Sequence, residues 1–479
     1  MSRSPVLLWF RQDLRLGDHP ALQAALAAGE VIPVFIWEPE AGAPWARGAA
    51  SRWWLHFSLE SLAKSLADRG SRLILRQGQA EGVLKNLLRE TGAQEIFASR
   101  RYEPALAKQD QALSQLFQFH FCTGTLLSEP GSVRNGSGGP YKVFTPYWRA
   151  CLQQLSIAPP LPAPSLLPAV NPALASLPLS ALGLLPKLPW DTHMRQSWNV
   201  GEPAALKRLA DWSQGALSGY PESRNRPDQL GTSRLSPHLH LGELSPRQIW
   251  WALKQGATHQ PPESCRVFLS EIGWREFAYQ ILVHFPHTDL NPLDDRFSQF
   301  DWQDRPDWLK SWQMGQTGYP IVDAGMRELW ALGWMHNRVR MIVASFLTKD
   351  LMLPWQAGAK WFWDTLVDAD LPANSLNWQW TAGCGADAAP YFRIFNPVSQ
   401  GEKFDPQGEY VRKWVPELAL LPDKWLHKPW EAPPLVLLEA GVRLGENYPL
   451  PLVDHKLARE AALAAFARIK LPKSLSPLA

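Results

Sequence analysis

Cysteine is scarce in this chain of 479 residues, which contains only Cys122, Cys151, Cys265 and Cys384. The four lie far apart, and no two of them form a Cys-x-x-Cys pair. This distribution excludes a disulfide framework and a zinc or iron–sulfur cluster of the usual spacing. We therefore expect reduced thiols, a cytoplasmic protein and no metal.

Apolar segments suited to export or to a membrane are also lacking. The N-terminal sequence MSRSPVLLWFRQDLR becomes charged after one short apolar run, which is unlike a signal peptide. The most apolar stretch, 166–190, is interrupted by Pro168, Pro172, Pro178, Pro186 and Pro189. Because proline breaks a membrane-spanning helix, the sequence predicts no membrane association.

A surplus of charge of one sign is absent too, since 48 Lys and Arg stand against 45 Asp and Glu, a net charge of +3. A nucleic-acid partner would then be bound by a local basic patch. What the chain does have is tryptophan, with 25 residues, of which 13 lie between Trp302 and Trp430. Core packing alone seldom needs so many indoles.

The first part of the chain alternates short apolar runs with helical segments. They follow in the order VLLWF, HPALQAALAAG, VIPVFIW, SLESLAKSLADRG, RLILRQ, AEGVLKNLLRETG and EIFASRR. This alternation predicts an α/β domain with a Rossmann-like parallel sheet over residues 1–130. No G-x-G-x-x-G follows the first strand, so dinucleotide binding of the Rossmann kind is not expected there.

The remainder of the chain changes in composition. Nine prolines and a single charge, Lys187, occur between Ala158 and Trp190, and residues 131–200 are predicted to be an interdomain linker. From about Gly201 the apolar residues recur at helical spacing. Residues 201–479 are therefore predicted to form an all-α domain.

Two polar segments of the helical part leave alternatives open. Thr232, Ser233, Arg234 and Ser236 precede a predicted helix and favour either helix capping or a phosphate cradle. Further on, one face of a predicted helix carries a carboxyl, an indole and a guanidinium, at Glu271, Trp274 and Arg275. Glu271 is either paired with Arg275 or kept neutral for function. The same spacing recurs at Asn337, Arg340 and Met341.

A third segment carries Asp368, Asp370, Asn374, Trp378 and Trp380. No histidine lies nearby in the sequence, so carboxylates that face an organic cofactor are favoured over a divalent metal site. The tryptophans Trp302, Trp355 and Trp378 share no period. Taken singly, each of them is explained by packing.

Taken together, several motifs resemble those of the photolyase/cryptochrome family, from about Val6 to about Pro451. They are WFRQDLRLGDHPAL, GTSRLSPHL, WREF, TGYPIVDAGMRELWALGWMHNRVRMIVASFL and DTLVDADLPANSLNWQW. The segment RGAASRWWLHFSLESL (47–62) resembles the bacterial class III cyclobutane pyrimidine dimer photolyases and their sister group, the plant cryptochromes. The resemblance implies an α/β domain that holds an antenna pigment and a helical domain that binds FAD.

The resemblance also implies which residues contact FAD. They are Tyr220, Thr232, Ser233, Arg234, Ser236, Arg275, Asn337, Arg340, Asp368, Asp370 and Asn374. Within this set, Asp370 would face the N3–H of the flavin ring and Asn374 would lie beside N5. A neutral amide at that place suits an anionic reduced flavin, because a carboxylate would add like charge.

The activity that the resemblance implies is light-driven repair of cyclobutane pyrimidine dimers in UV-damaged DNA, by electron transfer from excited reduced FAD to a flipped-out dimer. The implied dimer contacts are Glu271, Trp274, Asn337, Met341 and Trp380, and the implied phosphate contacts are Arg224, Arg338 and Arg393. Glu271, if burial keeps it neutral, would donate a hydrogen bond to the C4 carbonyl of the dimer. Electrons for photoreduction of FAD would pass along Trp302, Trp355 and Trp378.

Two departures from the family pattern affect these expectations. Asn225 follows Arg224 where the family commonly has aspartate, which puts the acidic partner in doubt. The Asn-Glu pair that grips folate in enterobacterial photolyases is replaced by Ala105-Leu106. We therefore expect 5,10-methenyltetrahydrofolate at a class III type of antenna site near Glu38, Trp53 and Trp54.

Two alternatives to dimer repair are disfavoured. The (6-4) photolyases have histidines at the places of Asn337 and Met341, because their chemistry needs proton transfer. Plant cryptochromes lack counterparts of Glu271 and Trp274, carry aspartate at the position of Asn374, and signal through a long tail. The sequence thus predicts a monomeric DNA-repair lyase, with a blue-light photoreceptor as the alternative.

Overall fold

The computed structural model describes residues 3–256, 261–388 and 392–470. Five parallel strands form one sheet in the order β3-β2-β1-β4-β5. The strands are β1 Pro5–Phe10, β2 Glu30–Trp37, β3 Ile74–Gln77, β4 Glu95–Ser99 and β5 Gln118–Cys122. The chain order reverses at β1, which pairs with β2 on one side and with β4 on the other.

The central strands are hydrophobic on both faces. In β1 every residue from Val6 to Phe10 is buried. Leu7, Trp9, Val34, Ile96 and Ala98 lie in one cluster of buried side chains. A parallel sheet covered by helices on both sides requires such continuous apolar runs.

Helices connect the strands and supply most of the regular structure in the rest of the described chain. Those up to His284 are α1 Pro20–Ala28, α2 Ala49–Ala67, α3 Ala80–Thr91, α4 Pro104–Ser114, α5 Phe144–Gln154, α6 Thr192–Ser197, α7 Glu202–Gln214, α8 Tyr220–Ser223, α9 Ser236–His240, α10 Pro246–Gly256 and α11 Pro262–His284. Those that follow are α12 Pro306–Gln313, α13 Pro320–Leu332, α14 Asn337–Ser345, α15 Trp355–Thr365, α16 Leu371–Ala382, α17 Pro397–Phe404, α18 Glu409–Trp414, α19 Asp423–Leu426, α20 Pro434–Glu439 and α21 His455–Lys470. The predicted fold class, an α/β part followed by a helical part, is confirmed.

The chain divides into two compact units that differ from the predicted boundaries. The first comprises Met1–Ser218, Ser233–Pro286 and Leu366–Pro372, and the second comprises Gly219–Thr232, His287–Thr365 and Ala373–Ala479. The segment predicted as a linker, 131–200, lies within the first unit. The domain division 1–130, 131–200 and 201–479 stays a prediction, because compact units of contact need not coincide with units that fold alone.

The proline-rich segment is extended and packs along the edge of the sheet. Leu177 donates its N–H to Leu75 O of β3, and Leu75 in turn donates its N–H to Ser176 Oγ. Arg72 donates to the carbonyl oxygen of Leu174. Because β3 is an edge strand, the segment occupies backbone groups that would otherwise be open to pairing with another chain.

Neither a membrane helix nor a metal cluster occurs in residues 3–256, 261–388 and 392–470. No helix there is long and apolar enough to cross a membrane. No three His, Cys, Asp or Glu side chains there converge as ligands of a metal ion. Cys151, Cys265 and Cys384 are buried, Cys122 is half-buried, and all four carry free thiols.

Candidate active site

Helix α11 of the first unit carries Glu271, Trp274 and Arg275 on consecutive turns. Gly273 lets α5 approach closely, because a Cβ at Gly273 would lie 2.6 Å from the indole of Trp148. Trp274 stacks on Phe144 of α5, with ring centroids 3.8 Å apart and planes tilted by 10°. One face of this half-buried indole is therefore covered by protein, and the position of its ring is fixed.

Two aspartates predicted as cofactor contacts accept hydrogen bonds within the first unit, one from the predicted Ser236 and one from Tyr279, which was not predicted. Ser236 Oγ donates to Asp368 Oδ2 at 2.6 Å. Tyr279 donates its hydroxyl to Asp370 Oδ2 at 2.7 Å, and the guanidinium carbon of Arg275 lies 4.8 Å from the centre of the Tyr279 ring. The structure thus brings a half-buried cation and two buried carboxylates close to α9 and α11.

Arg275 has a partner that the sequence did not reveal. Its ion pair is with Glu276, at 3.4 Å, whereas the sequence had suggested Glu271. Arg275 Nη1 also donates to Thr125 O at 2.9 Å, so within the described chain Nε and Nη2 remain available to a ligand. Helical spacing predicts contacts between side chains three or four residues apart. Glu276 directly follows Arg275, so this spacing did not indicate the pair.

Glu276 is buried and has an altered acidity. Burial raises its pKa to about 7, although Arg275 and the N–H groups of Ser128 and Leu127 favour the ionised form. Leu127 donates its N–H to Glu276 Oε2 at 2.8 Å. Glu276 therefore joins the loop after β5 to α11 and holds Arg275 in place.

The turn before α9 has an unusual backbone at Arg234. Its φ is +53°, in the left-handed region, and its guanidinium carbon lies 5.8 Å from the centre of the Trp198 ring. Ser233 Oγ accepts from the N–H of Leu235 at 3.4 Å. Ser236 is the first residue of α9, and Thr232, in the second unit, is half-buried. Capping and phosphate binding both remain compatible with this turn.

In the second unit, the departure at Asn225 has a structural role. Arg338 Nη2 donates to Asn225 Oδ1 at 2.6 Å, and its guanidinium carbon lies 4.5 Å from the centre of the Phe404 ring. The guanidinium carbon of Arg224 similarly lies 5.5 Å from the centre of the ring of the buried Tyr220. Burial and the charges of Arg224 and Arg393 lower the pKa of Arg338. The three predicted phosphate contacts therefore form one basic cluster with a neutral amide as acceptor.

Helix α14 presents Asn337, Arg340 and Met341 from a braced start. The ring Nδ1 of His336 accepts a hydrogen bond from the backbone N–H of Arg338. The backbone N–H of His336 donates to Glu328 Oε2 at 3.1 Å. Tyr410 donates its hydroxyl to the same oxygen at 2.7 Å. Asn337 is exposed and Met341 is half-buried. Glu328 and Tyr410, which the sequence analysis did not single out, position this helix terminus.

The predicted electron carriers lie on three segments of the second unit. Trp378 of α16 is buried, with Phe362 and Trp312 as ring neighbours at 5.0 and 6.2 Å. Trp355 begins α15 and is also buried, and Trp302 is half-buried with Phe300 at 4.5 Å. On α16, Asn374 donates to Ala359 O at 3.1 Å and Trp380 is half-buried.

The three residues predicted near an antenna pigment differ in their surroundings. Trp54 is fully buried and donates to Glu243 Oε1 at 2.9 Å, so it packs in the core. Glu38 accepts from Gln109 at 2.8 Å. Trp53 donates to Asp191 at 2.8 Å and lines a cavity of about 790 Å³. The other lining residues include Phe57, Glu60, Lys64, Arg195 and Trp198.

Comparison with known proteins gives this arrangement a context. Residues 6–165 match the DNA photolyase family, and residues 268–468 match the family described as the FAD binding domain of DNA photolyase. The deoxyribodipyrimidine photo-lyase of Agrobacterium fabrum is 50% identical, over 98% of this chain and 99% of that protein. The chain belongs to the photolyase/cryptochrome family.

Other members of the photolyase/cryptochrome family show how far the likeness extends. A crystal structure of a bacterial class III photolyase from Agrobacterium tumefaciens superimposes with a TM-score of 0.95, at 50% identity and 98% coverage of both chains. Cryptochrome-2 of Arabidopsis thaliana is 40% identical over 97% of this chain and 79% of its own length. Photolyases and cryptochromes are thus both similar to the chain.

The match to the FAD binding domain of DNA photolyase implies FAD as the cofactor. The polar residues of the first unit fit this cofactor. Arg275 offers Nε and Nη2 from a largely buried position, as a phosphate ligand should. Asp368 and Asp370 offer carboxylate acceptors to the N–H and hydroxyl donors that a flavin dinucleotide carries. The donor set is therefore suited to an anionic, hydrogen-bonding organic cofactor.

Proposed function

We propose that the protein is a deoxyribodipyrimidine photo-lyase, which splits cyclobutane pyrimidine dimers in DNA with light. The observation that carries the proposal is the 50% identity over nearly the whole length to a photo-lyase of that name. The class III photolyase fold, with a TM-score of 0.95, supports it. The acid and the stacked indole on α11, Glu271 and Trp274, supply side chains that such repair requires.

When bound, FAD would supply the electron that light excites. Residues of the chain would hold FAD and set the charges and hydrogen bonds around it. Arg275 neutralises phosphate charge, while Ser236 orients Asp368 and Tyr279 orients Asp370 toward the cofactor. Asn374 places a neutral amide near the redox-active ring edge. The further proposed FAD contacts are Tyr220, Thr232, Ser233, Arg234, Asn337 and Arg340.

Five side chains are proposed to contact the flipped-out dimer. Glu271 donates a hydrogen bond to its C4 carbonyl as negative charge develops there. Trp274 and Trp380 stack on the pyrimidines, which returns part of the few kcal/mol that base flipping costs. Asn337 and Met341 complete the contacts with an amide and a polarisable thioether.

The experiment that tests this function is illumination of the purified holoprotein with two oligonucleotides. One carries a cyclobutane dimer and the other a (6-4) photoproduct, and restored bases are counted against a dark control. Repair of the cyclobutane dimer alone is expected. Failure on both substrates, with FAD bound and reduced, would overturn the proposal.

A cryptochrome-type photoreceptor is the second candidate, and the 40% identity to an Arabidopsis cryptochrome is the observation that favours it. A photoreceptor changes partner binding with the redox state of its flavin. The same purified protein, without repair activity but with light-dependent chemical cross-linking to a partner, would support this candidate instead.

We further propose a folate antenna, 5,10-methenyltetrahydrofolate, in the cavity lined by Trp53. The cavity of about 790 Å³ has indole and phenyl walls for a bicyclic ring and Lys64 and Arg195 for carboxylates. Pigment released by denaturation should show folate fluorescence, and Trp53→Ala should lower its content while FAD content stays constant. A deazaflavin, or no second pigment, would contradict the proposal.

The proposed partner is UV-damaged DNA, contacted through the cluster of Arg224, Arg338 and Arg393. The proposed state is a cytoplasmic monomer, in which this cluster stays open to DNA. Size-exclusion chromatography with light scattering, with and without a dimer-containing duplex, tests both the monomer and the complex.

A further inference from the structure

Two buried tyrosines of the first unit lie in contact, and the proposed repair function assigns an electron-donor role to neither of them. Tyr279 is on α11, and Tyr102 follows β4. Their ring centroids are 5.8 Å apart, with one ring edge-on to the other at 90°. Both belong to a small apolar cluster with Leu126, and they are 6% and 8% exposed.

The hydroxyl of each tyrosine donates a hydrogen bond to a carboxylate. Tyr279 donates to Asp370 Oδ2 at 2.7 Å, and Tyr102 donates to Glu129 Oε1. Burial raises the pKa of both tyrosines, and the neighbouring carboxylates raise it further. The phenols therefore stay neutral near pH 7, each with a base placed to receive its proton if the ring loses an electron.

The two hydrogen-bonded pairs, Tyr279–Asp370 and Tyr102–Glu129, connect a buried carboxylate with a carboxylate that is accessible to solvent. Asp370 is 9% exposed, whereas the side chain of Glu129 is 37% exposed and lies 3.7 Å from Arg100 Nε. The two tyrosine rings, which are in contact, link these two carboxylates. An electron vacancy created near Asp370 can thus move outward in one ring-to-ring step, and each proton has a fixed acceptor.

We propose that Tyr279 and Tyr102 form a second donor route for photoreduction of the cofactor, which we call the tyrosine relay. The proposal rests on the proposed function in one respect, namely that the oxidant is photoexcited oxidised flavin bound beside Asp370. The relay is distinct from the chain of Trp302, Trp355 and Trp378, all of which are indoles of the second unit.

The steps of the relay balance. Tyr279 gives one electron to the photoexcited oxidised flavin, and its phenolic proton moves to Asp370, which leaves a neutral tyrosyl radical. Tyr102 then gives one electron to that radical, the proton returns from Asp370 to the oxygen of Tyr279, and the proton of Tyr102 moves to Glu129. A small thiol in solution restores Tyr102 by donating one hydrogen atom and becomes a thiyl radical, and the protonated Glu129 releases its proton to water.

Arg275 makes electron donation along the tyrosine relay slower. Its guanidinium carbon lies 4.8 Å from the centre of the Tyr279 ring, and a cation over a ring opposes the loss of an electron from it. The tyrosine relay is therefore the slower donor, and it becomes visible when the indole route is blocked.

The test uses FAD-loaded full-length protein with Trp378→Phe, which blocks the indole route, and adds Tyr279→Phe, Tyr102→Phe or Tyr319→Phe. Tyr319 is the matched control, because it is also buried but donates to the backbone oxygen of Val453. The readouts are the rate of photoreduction and the electron paramagnetic resonance spectrum after freezing under light, with ring-deuterated tyrosine as the label.

The Trp378→Phe protein is expected to show a tyrosyl spectrum that narrows with deuterated tyrosine and a photoreduction rate that is lower in D2O. Adding Tyr279→Phe should remove the signal and lower the rate by about tenfold or more. Adding Tyr102→Phe should leave a signal that thiols quench more slowly, and Tyr319→Phe should change neither readout.

An unchanged rate and spectrum in Trp378→Phe/Tyr279→Phe would overturn the relay and leave Tyr279 as a support for Asp370 alone. That failure is distinguishable from failure of the proposed function. If the function fails, wild-type protein with FAD bound restores no dimers, whereas if only the relay fails, wild-type repair and photoreduction remain intact.

Discussion

The side chain of Glu271 is the residue on which the proposed bond splitting depends most directly. Glu271→Ala should lower the repair yield by roughly tenfold, because a hydrogen bond to a developing charge contributes about 1.5–3 kcal/mol. Glu271→Gln, which can still donate, should recover part of the yield. Flash-induced repair assays measure the effect, with FAD absorbance as the control for binding. Equal yields in wild type and Glu271→Ala would remove the proposed role.

Trp302 is the half-buried member of the proposed electron chain. Trp302→Phe should abolish most photoreduction of oxidised FAD, because phenylalanine is much harder to oxidise than tryptophan. Repair by chemically reduced FAD should persist. Absorbance changes under blue light measure the first effect, and Trp330→Phe, at an exposed indole stacked on Trp361, is the control. Unchanged photoreduction in Trp302→Phe would point to another set of donors.

At the scale of elements, the contact between α15 and α16 depends on a glycine. A Cβ at Gly358 would lie 2.1 Å from the indole of Trp378, so Gly358→Ala must displace that ring. We expect a loss of about 1–3 kcal/mol in the free energy of unfolding, as for other overpacked cores, and slower photoreduction. Denaturant unfolding and light-driven absorbance changes measure both.

Gly82 in α3 is the matched control for this prediction. A Cβ there would meet no atom within 4 Å. Gly82→Ala should therefore be neutral or stabilise by about 0.5–1 kcal/mol, because glycine is unfavourable inside a helix. If both alanine variants behaved alike, the close approach at Gly358 would not be the cause.

The C-terminal end of α16 is bound by a buried cation. Lys349 donates to Ala382 O and lies 3.1 Å from the centre of the Phe392 ring. Burial lowers the pKa of Lys349 well below its ordinary 10.5. The unfolded chain therefore binds this proton more tightly, and stability should rise with pH between the lowered folded pKa and 10.5.

Lys349→Met should remove that rise. Denaturant unfolding of wild type and variant across a pH series gives the difference, and Lys360→Met, at an exposed lysine of α15, is the control. Parallel stability profiles for wild type and Lys349→Met would contradict the lowered pKa.

Elements with a strong period were predictable, and those without one were not. The runs VLLWF, VIPVFIW, RLILRQ and EIFASRR correspond to β1–β4. Strand β5, Gln118–Cys122, was not predicted, because this edge strand is only half-buried and reads QFHFC, with polar residues between aromatics. The proline-rich segment was predicted to be extended, but its packing along β3 uses backbone groups, which leave no pattern in the sequence.

At the scale of the whole molecule, the sequence predicted the site residues through family resemblance and missed their partners. Tyr279 and Asp370 are 91 positions apart and belong to segments of different character. Glu276 gave no signal, because an acid next to an arginine is common on helix surfaces. Partners of this kind are set by tertiary packing, which neither periodicity nor motif spacing reports.

The net charge of +3 leads to a prediction about how DNA binding depends on salt concentration. Because bulk charge is small, the salt dependence of the dissociation constant should come from the cluster of Arg224, Arg338 and Arg393. Each Arg→Ala change there should reduce the slope of log Kd against log salt concentration by about one and weaken binding at low salt. Fluorescence anisotropy with a labelled dimer-containing duplex, across a salt series, measures the slopes.

The matched control is Arg443→Ala, since Arg443 is exposed and paired with Glu446 at 3.2 Å. It changes the net charge by the same amount and should leave the slope unchanged, because only cations that displace counterions from DNA contribute to it. If Arg443→Ala reduced the slope as much as Arg338→Ala, overall charge and not the local cluster would drive binding. Dimer repair at saturating protein should remain intact in Arg224→Ala and Arg393→Ala, since phosphate contacts position the duplex and take no part in bond splitting.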